Sequence, residues 1–227
     1  MPPTLWTVVV SAGEGASDAL EHLCRTYWHP IRAYICRWNV DPSDADDLTQ
    51  MFLVHLLAMN RLVRVQPAKG RFRSYLLTAL KHFLMDQKAK AAHQSPPTVL
   101  LQANDEFGET DWDPPDRRPA PDKEFDRVFA QELIRQTLAR LQGEYAERGQ
   151  EERFQLLQRF LPGRDPELSQ AEAGARLGLT EGAVASAVHD LRLRFREVFR
   201  ELVGQTVVAY EEVDEEIAHH IQVLSQD

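Results

Sequence analysis

Apolar side chains recur at intervals of three and four through Leu20, Leu23, Cys24, Tyr27, Trp28, Ile31, Tyr34, Ile35 and Trp38. That spacing lays one stripe of an α-helix against a core. Asp18 and Glu21 stand three apart before it, as a capping box requires. Residues 39–42 break the pattern, and Ser43 is placed to cap a second helix carrying Leu48, Phe52, Leu53, Leu56 and Leu57. Pro67 and Gly70 mark a loop over 66–70; a third helix is expected over about 72–92, with Phe72, Tyr75, Leu76, Ala79, Phe83 and Leu84 inward.

From 93 to about 122 the periodicity stops. Pro96, Pro97, Pro114, Pro115, Pro119 and Pro121 stand among many acids, the composition of an extended linker. Helical spacing resumes with Phe125, Val128, Phe129, Leu133, Ile134, Leu138 and Leu141, and again with Phe154, Leu157, Phe160 and Leu161, before Pro162, Gly163 and Pro166 interrupt it.

The stretch SQAEAGARLGLTEGAVASAVHDLRLRF follows. Ser169 and Glu172 form a capping box, Ala173 and Leu177 share a face, and Gly178 permits a tight turn. Leu179 is placed to plug between helices, Thr180 to cap the second, and Val184 and Val188 to point back; small Gly174 allows close approach. This is the pattern of a helix-turn-helix, whose second helix is the candidate major-groove reader. Taken alone the pattern is weakly specific, because any small helical bundle can contain a glycine-turned pair. One more short helix, acidic at its start, is expected over 213–224.

The fold class expected is all-α: two helical domains joined by a Pro-rich acidic linker, divided as 1–93, 94–124 and 125–203, with a C-terminal helical extension over 204–227. A length of 227 residues suits two small modules. No apolar run approaches the ~20 residues of a membrane span, and no basic segment precedes Val8, Val9 and Val10, so a cytoplasmic location is expected. Cys24 and Cys36 lack metal spacing and fit buried reduced thiols.

Net charge is −9, unusual for a free-standing DNA binder. Its distribution is uneven: over 61–90 the cations Arg61, Arg64, Lys69, Arg71, Arg73, Lys81, Lys88 and Lys90 face one acid, Asp86. A chain held on DNA by another protein fits that balance. No nucleophile elbow or phosphate-cradling glycine loop is present, Gly13 and Gly15 lack a nucleotide-loop context, and His219 and His220 sit in an acidic tail where solvation is the simpler reading. No catalysis, cofactor or metal is expected.

The stretches LCRTYWHPIRAYICRW, DADDLTQMFLVHLL, KGRFRSYLLTALKHFLMDQ, EYAERGQEERFQLLQRFL and GLTEGAVASAVHDLRLRFRE, in this order, resemble the extracytoplasmic-function sigma factors of the sigma-70 superfamily. The resemblance implies a non-catalytic subunit that brings bacterial RNA polymerase core to promoter DNA, recognises it and melts it. It implies a core-binding face at Asp44, Asp47, Leu48, Gln50 and Phe52, with Asp46 more simply a solvated helix start. Minus-ten contacts then fall on Lys69, Arg71, Phe72, Arg73, Tyr75, Lys81, His82 and Lys88, the cations on phosphate and the aromatics either on unstacked bases or in the core.

Minus-thirty-five contacts fall on Thr180, Glu181, Ala185, Ser186, His189, Arg192, Arg194 and Arg196. The family commonly places basic residues where Ala185, Asp190 and Leu193 stand, and the arginines fit equally a solvated face paired with Glu197 and Glu201. An anti-sigma factor or a regulatory kinase is the further partner implied. Two competing readings remain: a stand-alone helix-turn-helix regulator, and a helical adaptor that binds only proteins. In the tail, Val207, Val208, Val213, Ile217 and Ile221 are placed either to pack on a domain and mask its DNA surface, with Glu211, Glu212, Glu215 and Glu216 competing with phosphate, or to form a simple capping helix.

Overall fold

A computed structural model describes residues 17–38, 40–58, 72–94, 120–163, 168–207 and 210–225. The expected loop at 66–70 with Lys69, the adjoining Arg71, and nearly all of the expected linker lie outside the described residues. Eight α-helices and two short 3-10 turns make up the regular structure of the described residues, with no strand among them. The helices are α1 (Ser17–Cys36), α2 (Pro42–Ala58), α3 (Phe72–Gln94), α4 (Pro121–Ala146), α5 (Glu151–Leu157), α6 (Gln170–Leu177), α7 (Glu181–Thr206) and α8 (Val213–Leu224). None of them is long and apolar enough to cross a membrane.

The three-and-four stripe of α1 is the inner face of the molecule. Leu23, Tyr27, Ile31, Tyr34 and Ile35 are buried, opposite Phe52, Leu53 and Leu56 of α2 and Phe72, Leu76, Leu80, Phe83 and Leu84 of α3. Leu80 takes the place expected of Ala79, which is only partly covered. Pro42 stands at the first helical position of α2, so the cap falls one residue earlier than Ser43. Asp41 fills it: its carboxylate accepts from the Ser43 amide at 3.0 Å and the Ser43 hydroxyl at 2.8 Å. Those bonds, the amide first, hold the Asp41 carboxyl below the usual range. Cys24 and Cys36 are free and half-buried.

α4 opens with Pro121 at its first position and Asp122 and Glu124 in its first turn, which suits the positive end of the helix dipole. It lies along α1. Tyr27 stacks on Phe129 with ring centroids 5.0 Å apart, and meets the edge of Phe72 at 5.3 Å. Gln136 donates to Thr26 at 3.2 Å across the same seam. The buried residues before and after the 95–119 gap therefore form one contiguous core. Toward its other end α4 packs on α7. There Arg194 donates to both oxygens of Glu144, at 2.7 and 3.0 Å, while Arg140 reaches Glu201 at 2.8 Å.

α8 also docks on α4, burying Val213, Glu216 and His220, with the His220 ring 5.5 Å from Phe129. The tail thus packs rather than projecting, though Ile221 is exposed. Val208 lies outside the described residues.

The hydroxyl of Tyr27 is buried with no hydrogen-bond partner among the described residues. Burial pushes its pKa well above the ordinary phenol value, Arg73 opposing and Glu216 adding to the effect. An unsatisfied buried hydroxyl costs stability that its ring does not. Tyr27→Phe, keeping the stack and deleting the hydroxyl, is expected to raise unfolding stability by about 1 kcal/mol in urea titration.

Candidate nucleic-acid interface

The helix-turn-helix is built from local rules. Ser169 accepts from the Glu172 amide at 3.2 Å while Glu172 accepts from the Ser169 amide at 2.8 Å, completing the capping box of α6. Gly178 ends α6 in the left-handed region at φ 66°, where L side chains are strained. The chain then turns so sharply that the Leu179 amide donates back to the Gly174 carbonyl at 2.9 Å. A Cβ on Gly174 would come within 2.6 Å of the Leu179 carbonyl oxygen. Thr180 accepts from the Ala183 amide at 3.2 Å and starts α7. Ala173, Val184 and Val188 are buried beneath the turn.

This packing turns one face of α7 outward. Glu181, Ala185, Ser186 and His189 are exposed, as are Thr180 before them and Arg196 beyond. Leu193, on the same side, is 43% exposed. The other two arginines expected there are hydrogen-bonded within the fold, Arg192 while still exposed and Arg194 half-buried. Arg192 donates twice to the Phe160 carbonyl, at 2.7 and 3.2 Å, pinning α7 to the end of the α5 segment. Arg194 pairs with Glu144 and, at 2.9 Å, with Glu197, one of the two partners expected from the sequence; the other, Glu201, takes Arg140 instead. The Arg194 bond is the main cause holding the Glu144 carboxyl below its ordinary value.

On α3, Lys81, His82 and Lys88 are exposed, with Met85 among them. Phe72 is fully buried and Tyr75 packs against the core, so both rings serve the fold instead of offering a stacking face. Arg73 departs furthest from expectation. It is 8% exposed, and its Nη1 sits 2.5 Å from Asp126 of α4 and 2.6 Å from His219 Nε2 of α8. Its Nε lies 3.6 Å from Glu216. The approach to Asp126 is a close charge contact more than a directed hydrogen bond. His219 in turn is 3.2 Å from Asp126, and His220 is fully buried, so the two histidines belong to this cluster and not to solvent.

The α2 face divides similarly. Asp44, Asp47 and Gln50 are exposed and Leu48 is partly covered, whereas Phe52 lies in the core against Phe83. Asp46 is exposed, as expected of a solvated helix start, and pairs at the surface with Arg32 at 2.6 Å. Beside the exposed acids stand Met51, 48% exposed, and Val54, 57% exposed, which the hydrophobic pattern alone did not single out. Asp126 was equally hidden from the sequence, being one acid in an unremarkable helix start.

Comparison with protein-family models, with curated proteins and with solved structures finds no match for the chain.

Gly174→Ala forces its methyl into a backbone carbonyl that cannot move without opening the turn. It is expected to cost about 1–3 kcal/mol in chemical unfolding, as overpacked sites do, with the loss concentrated in the hydrogen-exchange protection of α6. The Glu144–Arg194 tie also has a pH signature. A carboxyl depressed on folding contributes stability that is complete above its unfolded value, ordinarily 4.5, and is lost as pH falls through the lower folded value. Thermal midpoints measured across that acid range should fall less steeply for Glu144→Gln than for wild type.

Proposed function

We propose that this chain is a bacterial RNA polymerase sigma factor of the extracytoplasmic-function kind, acting in the cytoplasm. The observation that carries the reading is the glycine-turned helix-turn-helix with an outward recognition face at Ala185, Ser186 and His189. Docking such a helix N-terminus in a major groove is what this motif does elsewhere.

A second feature favours a tethered subunit over a self-sufficient regulator. Met51 and Val54 stand exposed beside Asp44, Asp47 and Gln50 on α2, an apolar and acidic face suited to a protein partner. With Arg192 and Arg194 hydrogen-bonded within the fold and Glu181 and Asp190 exposed beside them, the recognition face has little net positive charge of its own. Core polymerase would hold it against duplex, and two weak contacts on one scaffold gain on the order of 10²–10⁴ in avidity. Lys81, His82 and Lys88 on α3 then lie along the melted strand.

The same internal use of arginines favours a second reading, an adaptor that binds proteins and no DNA. Transcription in vitro with core polymerase lacking a specificity subunit separates the two. A sigma factor yields promoter-specific transcripts, an adaptor of polymerase binds core without supporting them, and failure to bind core refutes the sigma assignment. Val54→Asp places a charge on the exposed α2 face; it is expected to weaken association with core at least tenfold, on the order of 1.4 kcal/mol, in a pull-down titration, with the helical circular dichroism of wild type retained.

A further inference from the structure

Arg73 lies on the helix proposed to follow melted DNA, yet groups from two later helices close it off. Asp126 of α4 and Glu216 and His219 of α8 surround its guanidinium. The two carboxylates offer it what a phosphodiester would: paired oxygens and negative charge. α8 has only 12 residues, too few to persist as a helix without docking. It buries Val213, Glu216 and His220, so two of its three buried side chains are ionisable. The tie between Arg200 and Asp214 is at the surface, where such pairs contribute little. A buried ion cluster holds only while it is complete, because losing one partner strands a desolvated charge. An element attached in that way is among the first to open.

We infer that α8 closes an inhibitory clamp with Asp126 of α4, which keeps Arg73 in an intramolecular ion cluster until single-stranded DNA phosphate takes the place of Asp126 and Glu216. The inference rests on the reading of α3 as a DNA-facing helix. It explains why a cation expected at the DNA sits inside an acidic cluster. It also gives the tail a use beyond capping the core: the clamped chain binds single strands poorly until it is opened.

The test uses the full-length chain and a fluorescein-labelled deoxythymidine strand, followed by anisotropy. Asp126→Asn with Glu216→Gln removes both anions at nearly constant shape. If the clamp is closed about nine-tenths of the time, this pair should bind the strand about tenfold more tightly than wild type. Adding Arg73→Ala to the pair should cancel the gain. In wild type, a saturating strand should speed hydrogen exchange of the α8 amides. Unchanged affinity in a pair variant of wild-type helicity overturns the clamp, and so does a DNA-bound wild type whose α8 amides stay as protected as before. Should the pair variant fail to fold, the exchange measurement decides alone, and a wild-type chain that then binds no strand overturns it too. Core association tests the parent reading separately: a chain that gains strand affinity on opening but never binds polymerase keeps the clamp and loses the sigma assignment, and the reverse pattern keeps the assignment alone.

Discussion

The stack of Tyr27 on Phe129 is the contact on which four of the described helices, α1, α3, α4 and α8, converge. It joins α1 to α4, and Phe72 and His220 extend it to α3 and α8. Rings offset and edge-on in this way add about 0.5–1.5 kcal/mol per pair beyond the area they bury. More important is what they align. Because Phe72 is held under Tyr27, the next residue on α3 is brought to α4 and α8, and Arg73 meets the acids there.

Charge follows from that packing. A chain with a net charge of −9 has few cations to spare, and the fold spends several of its arginines on itself. Arg194 and Arg140 stitch α7 to α4 through Glu144 and Glu201, Arg192 anchors α7 to the Phe160 carbonyl, and Arg73 fills the acidic cluster. Among the groups that stay exposed are Lys81, His82 and Lys88 on α3 and Arg192 and Arg196 on α7. Under the proposed function, grip then has to come from a partner, and the exposed Met51 and Val54 give that partner a place to bind.

Much of the local structure was legible in residues alone. The capping box of Ser169 and Glu172, the left-handed Gly178 and the crowded Gly174 are determined within a few positions, so the helix-turn-helix appears where the pattern puts it. The periodic stripe of α1 works for the same reason, since helix faces are set by 3.6 residues per turn. Even the misplaced cap of α2 follows a local rule, Pro42 at the first helical position moving the role from Ser43 to Asp41.

Periodicity says that a side chain faces inward, but not which side chain it will meet. Nothing near Arg73 in the chain announces Asp126, 53 positions later, or Glu216 and His219 in the tail, and a cation in a basic stretch reads as one waiting for phosphate. Arg192 and Arg194 looked like an outward face because their acceptors, Phe160 and Glu144, belong to other helices. Sequence by itself determined the helices, their inner stripes and the glycine turn, all of which depend on neighbours within about one or two turns. Only the tertiary structure decided which charges are left for a partner, because ion pairing is settled by distances between elements that the chain order does not encode.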